Sequence, residues 1–146
     1  MIDPATPAMR NLSRWLLARE ADAGKPSEVK VQAAFRACEK LRHRLSTLTG
    51  VAGFRSLLSR ALTLAKAEVP WFSVVEVKAD GSLEGMGKIE TQQDRDETEK
   101  GGVILLAQLL GLLVTFIGET LALRLVRDVW PDAPFGVMES RTEKEQ

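Results

Sequence analysis

Hydrophobic positions along this 146-residue chain recur with helical spacing in all but one region, and that recurrence divides it into elements. Met9, Leu12, Trp15 and Leu16 share one face of a first helix, expected over about residues 7–22, with Pro7 in its first turn and Thr6 as N-cap. Gly24-Lys25-Pro26 ends it and starts the next. Val31, Ala34, Cys38, Leu41, Leu45 and Leu48 are then spaced 3, 4, 3, 4, 3, a short heptad seam suited to packing inside a bundle. Gly50 and Gly53 predict a break or a tight corner. Beyond it Phe54, Leu57, Leu58, Ala61, Leu62 and Ala65 carry a third helix to about Ala67.

The exception to helical spacing follows Val69-Pro70, which closes the third helix because the residue before a proline is pushed out of the helical region. Ser73 to Val77, the turn Lys78-Ala79-Asp80-Gly81, and Ser82 to Glu84 predict a β-hairpin, since Asp-Gly between short alternating runs is a strong turn cue. A lone hairpin is marginal, so it must lie against the helices, with Trp71 and Phe72 as anchors.

Residues 101–118 (GGVILLAQLLGLLVTFIG) hold no charge and leave almost no polar face, so a helix there needs covering on all sides. The reading is a fourth helix capped by Asp94 or Asp96 and continuing to Trp130, about 35 residues and roughly 50 Å long. Ala107, Gly111, Thr115 and Gly118 form a small-residue stripe along it that would admit the close approach of another helix, from the same chain or a second copy. The run also just reaches the length of a membrane span. Three amphipathic helices in need of a partner favour a buried core helix, with one inserted span at 101–118 as the alternative.

Composition is that of a globular domain, 45% hydrophobic and 27% charged. The one cysteine, Cys38, excludes an internal disulfide, and the N-terminus does not read as a secretory signal; the expected location is cytoplasmic, or membrane-associated on the alternative reading. Zero net charge hides segregation, from +7 between Lys25 and Lys66 to −4 between Glu76 and Lys100 and −3 from Asp128 onward. Such blocks pair within the fold or face a charged partner. Arg36, Lys40, Arg42 and Arg44 make a candidate basic surface, but without a binding motif or suitably placed aromatics nucleic acid is a disfavoured partner.

Chemistry has little to stand on. There is a single histidine, and no phosphate-binding glycine loop, no zinc-binding helix motif and no catalytic triad pattern, so neither metal nor cofactor is expected and the reading is non-enzymatic. His43, at the outward f position of the seam among Arg36, Lys40, Arg42 and Arg44, is the one candidate phosphoacceptor. His43-Arg44-Leu45 followed by Gly53 resembles the motif of histidine phosphotransfer domains, which implies a four-helix bundle and a phosphorylated His43; Ser46-Thr47 stand where that family usually has Lys-Gly. In another register, Glu39 to Gly50 is similar to the dimerisation-helix box of sensor kinases, with Glu39 at the place of the phosphorylated histidine. The expected architecture is all-α, a four-helix bundle-like domain over residues 1–130 with a small β-hairpin between helices three and four, and a flexible charged tail over 131–146. The expected role is a helical protein–protein interaction or regulatory module whose partner is another protein or a second copy. Phosphotransfer through His43 and membrane insertion are the alternatives.

Overall fold

The computed structural model describes residues 4–23, 30–85 and 95–133. The protein is mainly helical: α1 (Pro7–Ala23), α2 (Lys30–Glu68), α3 (Arg95–Ile117) and α4 (Glu119–Val129), with a 3-10 turn (Pro70–Val74) and a two-stranded antiparallel sheet, β1 (Glu76–Val77) and β2 (Leu83–Glu84), between α2 and α3. Gly24-Lys25-Pro26, the side chain of Val31, Asp94 and the tail over 134–146 lie outside the described residues.

Thr6 caps α1 as its sequence predicts. Its Oγ1 accepts from the Met9 backbone N–H at 3.3 Å, satisfying one of the donors that the first turn leaves open. Met9, Leu12 and Leu16 are buried, and Trp15 packs at the edge of the same core.

Helix α2 is two helices joined at a corner. Gly50 has φ 76° and ψ 164°, a conformation essentially confined to glycine, and it divides α2 into arms over 30–49 and 51–68. Ala34, Cys38, Leu41 and Leu45 are buried as the seam requires. Leu48 is not: it is 55% exposed, in the last turn before the corner.

The hairpin is shorter than the sequence suggested. Ser73 and Val74 belong to the 3-10 turn, so the first strand begins only at Glu76. Val77 pairs with Leu83 and Glu76 with Glu84. The turn between them closes through Gly81 N–H to Lys78 O at 2.9 Å, with Gly81 at φ 87°, and Asp80 Oδ1 accepts from both the backbone N–H and the hydroxyl of Ser82. These bonds to the carboxylate hold its pKa below the ordinary value. Phe72 is fully buried and Trp71 half-buried; their rings meet at a tilt, centroids 4.5 Å apart, and cover Gly101, where an added Cβ would lie 2.5 Å from the Trp71 ring.

The expected continuous helix from 95 to 130 is instead a helical hairpin. Gly118, at φ 89° and ψ 155°, adopts nearly the same conformation as Gly50, ends α3 and turns the chain back as α4. Residues 101–113 of the apolar run are all buried, with Gln108 among them, covered by α2, α1 and α4. Cover fails after Leu113: Thr115 and Gly118 are exposed, and Phe116 is 63% exposed.

Cross-links between elements fix where the two glycine corners fall. Glu20 joins Arg36 and Lys40, which stand 14 and 10 residues before Gly50, to Trp130, which stands 12 residues after Gly118. Trp71, 21 residues after Gly50, bonds Glu97, 21 residues before Gly118. At about 1.5 Å per helical residue these similar spacings support both corners lying towards one end of the bundle.

Candidate functional site

The basic stretch of α2 is largely consumed inside the fold. Arg36 Nε donates to Glu20 Oε2 at 2.9 Å and Lys40 Nζ to Glu20 Oε1 at 2.5 Å, while Arg36 Nη2 also reaches the Glu20 carbonyl at 2.6 Å. Arg42 Nε donates to Glu39 at 2.7 Å. Arg44 alone of the four candidate cations has no ion pair among the described residues, so the structure does not gather them into one free positive surface. His43 is exposed on the helix surface beside Arg44.

Glu20 is the polar centre that the sequence reading missed. Its side chain is 2% exposed, and it accepts from Arg36, Lys40 and, at 2.8 Å, Trp130 Nε1, so one carboxylate ties the end of α1 to the first arm of α2 and to the chain just past α4. Burial alone would raise its pKa, but the bonds from Lys40, Trp130 and Arg36, with the charge of Lys40, outweigh burial and hold it below its ordinary 4.5. The same region carries Arg19 to Asp132 at 2.7 Å, and Ala133 is buried. A sequence signal did exist in Glu20, on the apolar side of α1 four residues past Leu16, but acids are common enough on helices that nothing singled it out.

Cys38 behaves as a small core residue. Burial first, then the neighbouring Glu39 charge, push its thiol up to about 12, so it stays protonated and unreactive at neutral pH. No cluster of metal-ligating side chains occurs among the described residues.

A cleft of about 430 Å³ opens between the start of α1, the end of α2 and the start of α3, floored by Val103 and Ile104. Its rim alternates in sign, with Arg10, Arg14 and Lys100 against Glu68, Asp96 and Glu99, and Arg10 already forks onto Glu68 at 2.8 and 3.3 Å. A rim of balanced, exposed charges selects no ligand class.

The four residues of the small-residue stripe stand in four different settings. Ala107 is fully buried. Gly111 lies under the N-terminal segment so closely that a Cβ there would stand 2.0 Å from the Pro4 carbonyl oxygen. Thr115 is exposed and its hydroxyl donates back to the Gly111 carbonyl at 3.0 Å, while Gly118 is the corner itself, with open space around its missing Cβ.

What remains unsatisfied is the corner end. Leu48 and Val51 flank Gly50, Phe116 and Leu121 flank Gly118, and these four are the exposed large hydrophobics among the described residues, at 55%, 45%, 63% and 36%. Arg44 stands one turn before Leu48, Arg55 one turn after Val51, and Glu119 follows Gly118. All three are exposed without an ion pair among the described residues. α3 is the one described helix long and apolar enough to cross a membrane, and most of it is buried in the fold. Comparison with protein-family models, curated proteins and solved structures finds no match to this chain.

Proposed function

We propose that this chain is a non-enzymatic helical interaction module that docks through its corner end, and that its partner there is a second copy. The observation that carries the reading is the gathering of every exposed large hydrophobic among the described residues at the two glycine corners. Apolar side chains scattered singly over a surface need no explanation, whereas four around one end of a bundle do. The patch brings its own counter-charges: a two-fold, end-to-end contact sets Glu119 of each copy against Arg44 and Arg55 of the other, which is self-complementary as an isologous interface must be. The four side chains offer on the order of 300 Å², against about 800 Å² per partner in a stable complex, so the association is weak and reversible.

Sedimentation across a concentration series tests this. A monomer–dimer equilibrium with a dissociation constant of tens of micromolar or weaker is expected, abolished by Phe116→Asp and weakened by Glu119→Lys. A chain that stays monomeric at millimolar concentration, or that instead binds anionic lipid vesicles as a monomer through Phe116, would sink the self-association reading.

A further inference from the structure

We propose that α4 is a hinged flap, pivoting at Gly118 and held shut by the Glu20 cluster, so that releasing one helix enlarges the apolar corner end. This inference does not depend on what docks at that end. Helix α4 is short and sits on the bundle by one apolar stripe, in which Ala122, Leu125 and Val126 are buried and Leu123 and Val129 pack at the edge of the core, while Glu119, Thr120, Arg124 and Asp128 are exposed. Its attachment to α3 is a single glycine whose backbone values only glycine adopts readily, and an added Cβ there would meet nothing within 4 Å. Among the described residues no side chain wedges into the position of that missing Cβ.

At the far end the situation reverses. The Trp130 indole, 4% exposed, donates to Glu20, and Asp132 forms its pair with Arg19. Glu20 is in turn gripped by Arg36 and Lys40, so the catch is anchored on two other helices. An element that is free at its pivot and fastened at its tip opens as a unit when the fastening fails, without the rest of the bundle unfolding. Opening uncovers the faces of α2 and α3 beneath Ala122, Leu125 and Val126, and these adjoin the turn that already presents Phe116 and Leu121. The weak docking patch thereby becomes a larger one, under the control of a polar contact some 18 Å from it.

Native-state hydrogen exchange on the full chain tests the flap. Amides over 122–130 are expected to exchange through their own opening, well ahead of those over 33–41 and 105–113. Trp130→Phe keeps an aromatic side chain but removes the donor and part of the buried ring system, and should speed exchange over 122–130 by about tenfold or more while leaving 105–113 unchanged. Arg19→Ala, which loosens only the exposed pair, should speed it by about twofold. Exchange of α4 in step with α3 in the unmodified protein would overturn the proposal, whatever the variants do. So would a Trp130→Phe variant in which every helix loosens equally.

Discussion

The two ends of this bundle show opposite solutions to one problem, how to finish an apolar helix. At the start of α3, Trp71 and Phe72 lie across Gly101, Trp71 bonds Glu97, and the acidic residues Asp96 and Glu97 complement the helix dipole. At its finish nothing comparable is supplied among the described residues: the chain turns on Gly118 and leaves Phe116 63% exposed. The apolar run itself does not separate the two, since residues 101–118 are uncharged throughout and reach towards both ends. What separates them is which neighbours reach that far.

The sharpest way to break this comparison is truncation of a covered leucine. Leu109 is fully buried, and Leu109→Ala should cost about 3 kcal/mol, read as a fall in the urea midpoint at unchanged slope. Little or no loss would mean that the covered half of the run is no better packed than the bare half.

Next comes the polar catch. Glu20→Gln keeps the shape and removes the charge, leaving Arg36, Lys40 and Trp130 with a poorer acceptor. Because Arg36 and Lys40 are about a third and nearly half exposed and can turn to water, the cost should be about 2 kcal/mol, below the usual penalty for breaking a buried pair. The sign with pH follows from the lowered folded pKa. The contribution is fully present above the ordinary value of 4.5 and is lost as pH falls below it through the folded value, so Glu20→Gln should flatten the acid limb of the stability profile. An acid limb identical in the two proteins would show that other carboxylates carry it.

Gly118 and Gly111 come next. Gly118→Ala meets no atom, yet it forces an L-residue into a glycine-only conformation, and about 1–2 kcal/mol of strain should appear as lower stability of α4. Gly111→Ala is the converse, a helical position with ordinary backbone where the Cβ collides with Pro4. That segment lies before α1 and can peel away, so the loss should be about 1 kcal/mol and confined to residues 4–6, visible as faster proteolysis there. Equal and global effects from both substitutions would erase the distinction between a turning and a packing glycine.

Much of this was legible from hydrophobic spacing. The start of α1 with its Thr6 cap, the seam through Leu45, the break at Gly50 and the Asp80-Gly81 turn all rest on local chemistry that a few residues decide. The α3–α4 corner was not legible. Gly50 sits where the seam ends, with a second glycine, Gly53, three residues on, whereas Gly118 ends an apolar run at a spacing that also suits helix packing, and periodicity cannot tell a glycine that admits a neighbour from one that reverses the chain. Glu20 was hidden for another reason. Its partners lie 16, 20 and 110 residues away, and no local pattern marks a carboxylate that the tertiary fold will bury.

The smallest expected effect on stability is also the one that divides the bare end from the covered one most cleanly. Phe116 is 63% exposed and has no polar duty, so Phe116→Asp should leave the unfolding midpoint within about 0.5 kcal/mol of the parent, although it exchanges the largest side chain of the run for a charge. Leu113, three residues earlier on the same helix, is fully buried, and the same substitution there should unfold the protein or nearly so, because a carboxylate would be sealed away without a partner. The pair differs by one helical turn and by nothing in local sequence character. A Phe116→Asp variant that unfolded like Leu113→Asp would mean that the monomer covers this turn after all, and the end of α3 could not be a docking surface.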